Sequence, residues 1–453
     1  MKIFNTLSGQ KEEFQPQSDP VTMYVCGVTV YDDCHIGHAM SYILFDVIRR
    51  YLEFKGYNVK HVQNFTDIDD KIINRANQLG IPSRDLAEKY INEYFKDMDA
   101  LNIRRATIYP KATEEVPKII EIIETLVKKG FAYELEGSVY FRVKKFEGYG
   151  KLSHQKIDEM QPEASALADK KDSALDFALW KSVKPGEPAW KSPWGEGRPG
   201  WHIECSAMSL KYLGETIDIH GGGQDLVFPH HENEITQSEA VTGKKPFARY
   251  WIHNGLLQLS GAKMSKSLGN LITVKQMIND HSADAIRFFI LSSHYRTPLT
   301  YSEEALAAAE TGMERIRQAS KPVDSDSQGT EKMNVSALEE KFVTSMDDDF
   351  NTPQAIAALF DMVREINRGR EKGKNVVDAR EKLIKLAGVL GFTLQKEVRT
   401  DVAIDPFIEL LIALRSDLRG IKQWQLADKI RDGLLKQGIV LEDSKTGTTW
   451  KRQ

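Results

Sequence analysis

Between positions 21 and 56 the apolar residues change their period. Met23, Val25, Val28, Val30 and Tyr31 read as a buried strand, whereas Met40, Ile43, Leu44, Val47, Ile48, Tyr51 and Leu52 recur at helical spacing. Gly56 then stops the helix. The pattern predicts strand, tight turn and helix, with Cys34-His35-Ile36-Gly37-His38 at the helix entrance. Backbone N–H groups left unbonded there, together with the helix dipole, favour an anion. Imidazoles at His35 and His38 can donate to phosphate oxygens, and Gly37 lets a ligand approach the backbone. Two histidines that only cap the helix would give the same pattern.

A second apolar strand, Val59 to Val62, leads into Asn64-Phe65-Thr66-Asp67-Ile68-Asp69-Asp70-Lys71. Strand, helix and strand in that order make a parallel crossover, so the predicted fold class is α/β with a doubly wound, Rossmann-like sheet. The pattern is helical from Ser83 to Gly130. Tyr133 to Val143 then reads as a hairpin turning at Glu136-Gly137, followed by a stretch rich in Lys, Pro, Gly and Trp, and residues 131–200 are taken as an insertion. Parallel-sheet features resume with Trp201 to Cys205, the strand-like Thr216 to Ile219, the turn His220-Gly221-Gly222-Gly223 and a helix opening at Phe228 to Glu234. The successive glycines let a flat ligand lie against bare backbone. Another strand, Tyr250 to His253, precedes the polar loop Lys263-Met264-Ser265-Lys266-Ser267, a second phosphate candidate. Helices are expected over 274–319 and 335–390, separated by a Ser/Asp/Gly-rich linker from Pro322 to Thr330, and a second linker leads to a small C-terminal unit.

The 453 residues leave room for about three domains, and 41% hydrophobic with 28% charged residues describes an ordinary globular protein rather than a disordered chain. The N-terminus lacks a basic-then-apolar leader and no apolar run nears about 18 residues, so neither secretion nor membrane insertion is expected. Three cysteines are too few for a disulfide framework, which places the chain in the cytoplasm. A net charge of -4 leaves any polyanion to a local basic groove.

Cys26, Cys205, His230 and Glu234 offer two thiolates, an imidazole and a carboxylate, the last two at helical i, i+4 spacing, a set that suits Zn²⁺. Buried small hydrophobes account equally for the two cysteines, and Cys34 with His35 and His38 is a rival ligand set. The His-Glu-x-x-His of a metallohydrolase is absent. Two ammonium groups at Lys263 and Lys266 can neutralise charge developing on a leaving pyrophosphate, although a solvated basic loop has the same composition.

His-Ile-Gly-His at 35–38, followed about 230 residues later by Lys-Met-Ser-Lys-Ser, resembles the paired signatures of class I aminoacyl-tRNA synthetases. The stretches Cys26 to Asp32, Thr66 to Lys71, Gly200 to Ser206, His220 to Glu234, Met346 to Pro353 and Gly438 to Trp450 resemble cysteinyl-tRNA synthetases in particular, over essentially the whole chain. The resemblance implies a catalytic domain in two halves, 1–130 and 201–270, a stem-contact helical region 271–321, a helical tRNA-binding bundle 335–392 and an anticodon-binding domain 405–453.

It implies one zinc ion per chain on Cys26, Cys205, His230 and Glu234, and a cysteine pocket lined by Thr29, Thr66, Trp201, His202, His220 and Asp225. It further implies ATP, with Mg²⁺, at Gly27, His35, Gly37, His38, Gly222 and Lys266, and charge stabilisation by His35, His38, Lys263 and Lys266. Arg419, Trp424, Asp428 and Asp443 would read the anticodon of tRNA(Cys), with stacking on Trp424. The expected partners are L-cysteine, ATP and tRNA(Cys), and the expected state is a monomer without membrane attachment. Two other readings differ in class: a ligase passing activated cysteine to a small amine, which would lack the anticodon-reading end, and an idle binding paralogue, which would have lost motif residues.

Overall fold

The computed structural model describes residues 1–160, 170–259, 272–395, 404–444 and 447–452. Residues 1–395 and 396–453 form separate units. The first unit opens with a hairpin, β1 (Lys2–Asn5) and β2 (Gln10–Glu13), followed by β3 (Val21–Val25), α1 (Ile36–Phe54) and β4 (Val59–Gln63). The predicted strand ends at Val25, and residues 28–30 pair only through a bridge between Thr29 and Thr66. Helix α1 buries Met40, Ile43, Leu44, Val47, Ile48, Tyr51 and Leu52, the residues that carried its period.

Helices α2 (Asp70–Leu79), α3 (Ser83–Ala100) and α4 (Val116–Lys128) follow. The helical pattern expected from 83 to 130 is broken between α3 and α4, where Ile108 and Lys111 bridge Val62 and Phe65 along the outer edge of β4. The insertion forms a five-stranded sheet of β5 (Ala132–Leu135), β6 (Ser138–Phe141), β7 (Phe177–Ser182), β8 (Trp190–Ser192) and β9 (Gly195–Pro199). Its first hairpin turns at Glu136 and Gly137, both at positive φ, as a two-residue turn requires.

The chain returns through α5 (Trp201–Leu213), β10 (Ile217–Gly223), α6 (Glu232–Thr242) and β11 (Ala248–Asn254). Trp201 to Cys205 is therefore helix, and only the segment after it is strand. The order β11-β10-β3-β4 is parallel throughout. The chain lays β3 first, adds β4 on one side and later adds β10 and β11 on the other. The connection thus reverses between β3 and β10, and the crevice at their carboxyl ends is where ligands bind in open α/β sheets.

Beyond it come β12 (Leu257–Leu259), α7 (Val274–Asp280), α8 (Ala283–Leu291), β13 (Leu299–Tyr301), α9 (Glu303–Ser320), α10 (Ser336–Asp347), α11 (Thr352–Glu371) and α12 (Val377–Val389). Arg287 of α8 is fully buried and donates to Asp46 of α1 at 2.6 Å and to the carbonyls of Leu101 and Leu390, so its charge is paired and its donors are occupied. The stretch expected as a linker, Pro322 to Thr330, is anchored: buried Asp326 accepts from Arg370 at 2.8 and 3.0 Å. The second unit holds α13 (Ile404–Gly420), α14 (Trp424–Lys436) and the hairpin β14 (Ile439–Ser444) with β15 (Gly447–Arg452).

Candidate active site and metal centre

At the carboxyl end of β3 the backbone is held in both directions. Cys26 N–H donates to Gly221 O at 3.1 Å and Gly27 N–H to Asn64 Oδ1 at 2.9 Å. A Cβ at Gly27 would stand 1.6 Å from Asn64 O, so only glycine fits. Gly222 is likewise packed, with His231 and Leu226 each 2.9 Å from where its Cβ would be.

Ten residues after Cys26 begins α1. His35 is its N-cap: Gly37 N–H donates to His35 Nδ1 at 3.1 Å and His35 N–H to His38 Nδ1 at 3.3 Å, with the rings stacked 3.7 Å apart. The capping bonds use the Nδ1 atoms, so capping leaves both Nε2 atoms out of the helix-end hydrogen bonds. A backbone N–H aimed at each Nδ1 fixes the tautomer with the proton on Nε2, the form that donates to a phosphate oxygen. The segment following the lysine loop is tied to this entrance: Ile36 N–H donates to Ile272 O at 3.0 Å and Val274 N–H to Cys34 O at 2.8 Å. Lys275 pairs with Asp33 and with Glu93 of α3, each at 2.6 Å. Lys263 and Lys266 lie outside the described residues.

Cys26, Cys205, His230 and Glu234 converge, buried, with one ligand atom from each lying within 4.8 Å of the others. Cys26 directly follows β3, Cys205 lies on α5, His230 sits in the π-helical turn Val227–His231 that leads into α6, and Glu234 is in the first turn of α6. The two Sγ atoms are 3.8 Å apart, Cys26 Sγ lies 3.3 Å from Glu234 Oε1, and His230 Nε2 lies 3.1 Å from the same oxygen. A tetrahedral ion with Zn–S about 2.3 Å long sets two sulfurs about 3.8 Å apart. The donor set fits.

Burial opposes charge on His230, yet the neighbouring Cys205 thiolate and Glu234 carboxylate lift it to about 10. The Cys26 thiol, donating to Cys205, lowers the latter to about 6 against the effect of burial. Burial pushes Cys26 itself up.

A second set, Cys26, His220, His231 and Glu234, overlaps the first. His220 Nε2 lies 2.8 Å from Glu234 Oε2, and His231 Nε2 lies 3.2 Å from Cys26 Sγ. His231 Nδ1 meets His253 Nε2 at 2.7 Å, and His253 Nδ1 meets Thr6 Oγ1 at 2.7 Å. His202 contacts His230 through the two Nδ1 atoms at 3.0 Å, which leaves His230 Nε2 toward the cluster. Trp201, partly exposed, stacks on His230 at 4.3 Å.

The structure thus brings Trp201, His202 and His220 to the predicted ligands. Thr66 donates to Glu204 at 2.9 Å beside them, Thr29 bridges Thr66, and Asp225 is exposed after β10. Sequence reasoning passed over His231 and His253; the His-His pair at 230–231 was the available signal.

In the second unit Trp424 is 54% exposed at the start of α14. Asp443 accepts from Arg415 at 2.7 and 2.8 Å, from Arg419 at 3.1 Å and from Thr448 at 2.7 Å, while Asp428 lies 4.0 Å from Arg431.

A switch-point crevice with a histidine pair at one helix entrance and a buried thiol-rich cluster beside it is the frame of a class I tRNA synthetase. Residues 13–311 match the model of the class I (C) tRNA synthetase catalytic domain, and residues 341–395 match the DALR domain. Two solved structures share the fold. A methionyl-tRNA synthetase of Mycobacterium tuberculosis bound by methionyl-adenylate is 17% identical with a TM-score of 0.60, covering 82% of this chain and 89% of that one. A LeuRS–tRNA–LeuAMS complex of Agrobacterium radiobacter is 12% identical with a TM-score of 0.61, covering 84% and 86%.

A cysteine–tRNA ligase of Dehalococcoides mccartyi is 59% identical over 456 residues, covering 100% of this chain and 99% of the relative. One of Geobacter metallireducens is 50% identical over 483 residues with the same coverage. The chain belongs to the cysteine–tRNA ligase family.

Proposed function

We propose that this chain joins L-cysteine to tRNA(Cys) in two steps. The cysteine carboxylate attacks the α-phosphorus of ATP, pyrophosphate leaves, and the cysteinyl-adenylate then passes its acyl group to the 3′-terminal adenosine of the tRNA. The observation that carries this reading is the placement, within Cys26 to His38 at the carboxyl end of one strand, of a member of the thiol-rich cluster and of two histidines whose Nδ1 atoms accept backbone N–H groups.

His35 and His38 donate to phosphate oxygens as charge builds on them, which is positioning and electrostatics rather than proton transfer. Lys263 and Lys266 are assigned the charge of the departing pyrophosphate, shared with Mg²⁺. Gly37 gives the nucleotide bare backbone, and Gly27 and Gly222 let the chain beside it pack closely against Asn64, His231 and Leu226. Zn²⁺ on Cys26, Cys205, His230 and Glu234 supplies a borderline-soft centre that takes a thiolate in preference to a hydroxyl, a discrimination that cavity size alone would not give.

The two thiolates favour this set over the overlapping one, and His220 and His202 then orient Glu234 and His230. Trp201, Thr29, Thr66 and Asp225 line the cysteine side. In the second unit Trp424 offers an exposed face for base stacking, with Arg419, Asp428 and Asp443 at base edges. Free thiols at all three cysteines fit the cytoplasm, and no helix among the described residues is long and apolar enough to cross a membrane. A monomer is the assigned state.

The test is ATP–pyrophosphate exchange with cysteine or serine on protein of known zinc content, followed by charging of tRNA. Exchange should require cysteine, with serine weaker by about four orders of magnitude. No exchange, or equal exchange with serine, would overturn the reading.

A further inference from the structure

Three consecutive aspartates at the end of α10 each hold a different part of the first unit. Asp347 accepts from Tyr51 Oη at 2.7 Å and from Lys55 Nζ at 3.1 Å, at the last turn of α1. Asp348 pairs with Lys11 of β2 at 2.6 Å, and its backbone bridges Lys2. Asp349, fully buried, accepts from Phe4 N–H at 2.8 Å, from Tyr295 Oη at 2.7 Å and from Arg296 Nε at 2.9 Å.

The backbone between them takes an uncommon course. Asp349 and Phe350 both have positive φ, 62° and 51°, a conformation that a bulky residue such as phenylalanine rarely adopts and that persists only where the surroundings over-determine it. Here they do so. Asp349 N–H donates to Lys2 O at 2.9 Å, the buried Phe350 ring meets Tyr51 edge-on at 6.2 Å, and Thr352 Oγ1 donates to Leu291 O at 2.8 Å. Asn351 then caps α11 by accepting from Gln354 N–H at 3.2 Å.

We propose that the turn Asp347–Asn351 is the joint that sets the helical region α10–α12 against α1, and that Asp349 is thereby a positioning residue for transfer of the acyl group to tRNA and not for activation of cysteine. This rests on the ligase reading above. The cluster that would hold cysteine and the His35–His38 pair draw no residue from the joint, and α1 separates them: its first turn carries the histidines and its last turn carries Tyr51. Small substrates meet only the near end. A tRNA is large enough to touch both the crevice and the helices that begin at the joint, so only its register depends on the angle the joint holds.

The experiment compares cysteine-dependent ATP–pyrophosphate exchange with charging of tRNA in the full chain, in Asp349→Ala and in the double variant Tyr51→Phe, Lys55→Met, which releases α1 while leaving the buried turn intact. Both variants should keep exchange within about twofold while kcat/KM for tRNA falls by about tenfold or more, mostly through KM. Equal loss in both assays, or charging at the level of the unaltered chain, would overturn the proposal. If Asp349→Ala fails to fold, the double variant decides on the same criteria. Absence of exchange in the unaltered chain would overturn the ligase reading, and this one with it.

Discussion

At the entrance of α1, His35 and His38 are half-buried and stacked, with backbone N–H groups directed at both Nδ1 atoms. In the adjoining pocket His202, His220, His230, His231 and His253 are buried among thiols and a carboxylate. Where amide hydrogens face Nδ1 of a ring, the proton is left on Nε2, the arrangement of a hydrogen-bond donor. Where thiolates and Glu234 face one, the surroundings attract a cation: His230 is lifted to about 10. Burial holds His231 well below its ordinary value and His253 down to about 3. The same side chain is set up as a donor in one place and as a partner of thiols and a carboxylate in the other, and its neighbours make the difference.

The sharpest way to break this contrast is to remove each half separately. Cys205→Ala should lose bound zinc and lower cysteine-dependent exchange by about three orders of magnitude or more, with ATP affinity, read by direct binding, unchanged. His38→Asn keeps an acceptor for the helix cap but loses the Nε2 donor; exchange should fall by about 10²-fold at full zinc occupancy. Zinc content that fell along with it would merge the two sites into one.

His231→Asn distinguishes the overlapping donor sets. If the ion sits on two thiolates, the variant should weaken zinc by about 10- to 100-fold, as outer partners do, with two sulfurs still seen by X-ray absorption.

The smallest effect belongs to Lys275. It holds Glu93 at about 2, with Lys96 helping. A depressed carboxylate contributes stability that is present above its unfolded value and lost as pH falls toward its folded one. Lys275→Met should therefore cost under about 1 kcal/mol at neutral pH, and the difference from the unaltered chain should vanish between about pH 4.5 and pH 2, read by urea unfolding.

Much of the frame was legible because one face of each element is buried. The switch from strand to helix at 21–54 follows the burial of α1, and the hairpin follows from Glu136-Gly137 at positive φ. Helix α5 was not legible as a helix. His202 through Ser209 are all buried, so no polar face marks a period. The run Pro322 to Thr330 has linker composition, but Asp326 is held by Arg370, a contact 44 residues away in sequence. The zinc set stood out only through resemblance, since Cys26 and Cys205 are 179 residues apart and meet through the switch point. The basic residues between 364 and 385 are largely paired, Arg364 with Asp361, Arg368 with Glu365 and Lys382 with Glu339, as on an ordinary solvated face.

The central claim is that a metal on two thiolates selects cysteine. Zinc-edge X-ray absorption on the purified chain, before and after addition of L-cysteine, tests it directly. The account predicts two sulfur ligands rising to three with cysteine and staying at two with serine. A sulfur count that does not respond to cysteine would contradict it.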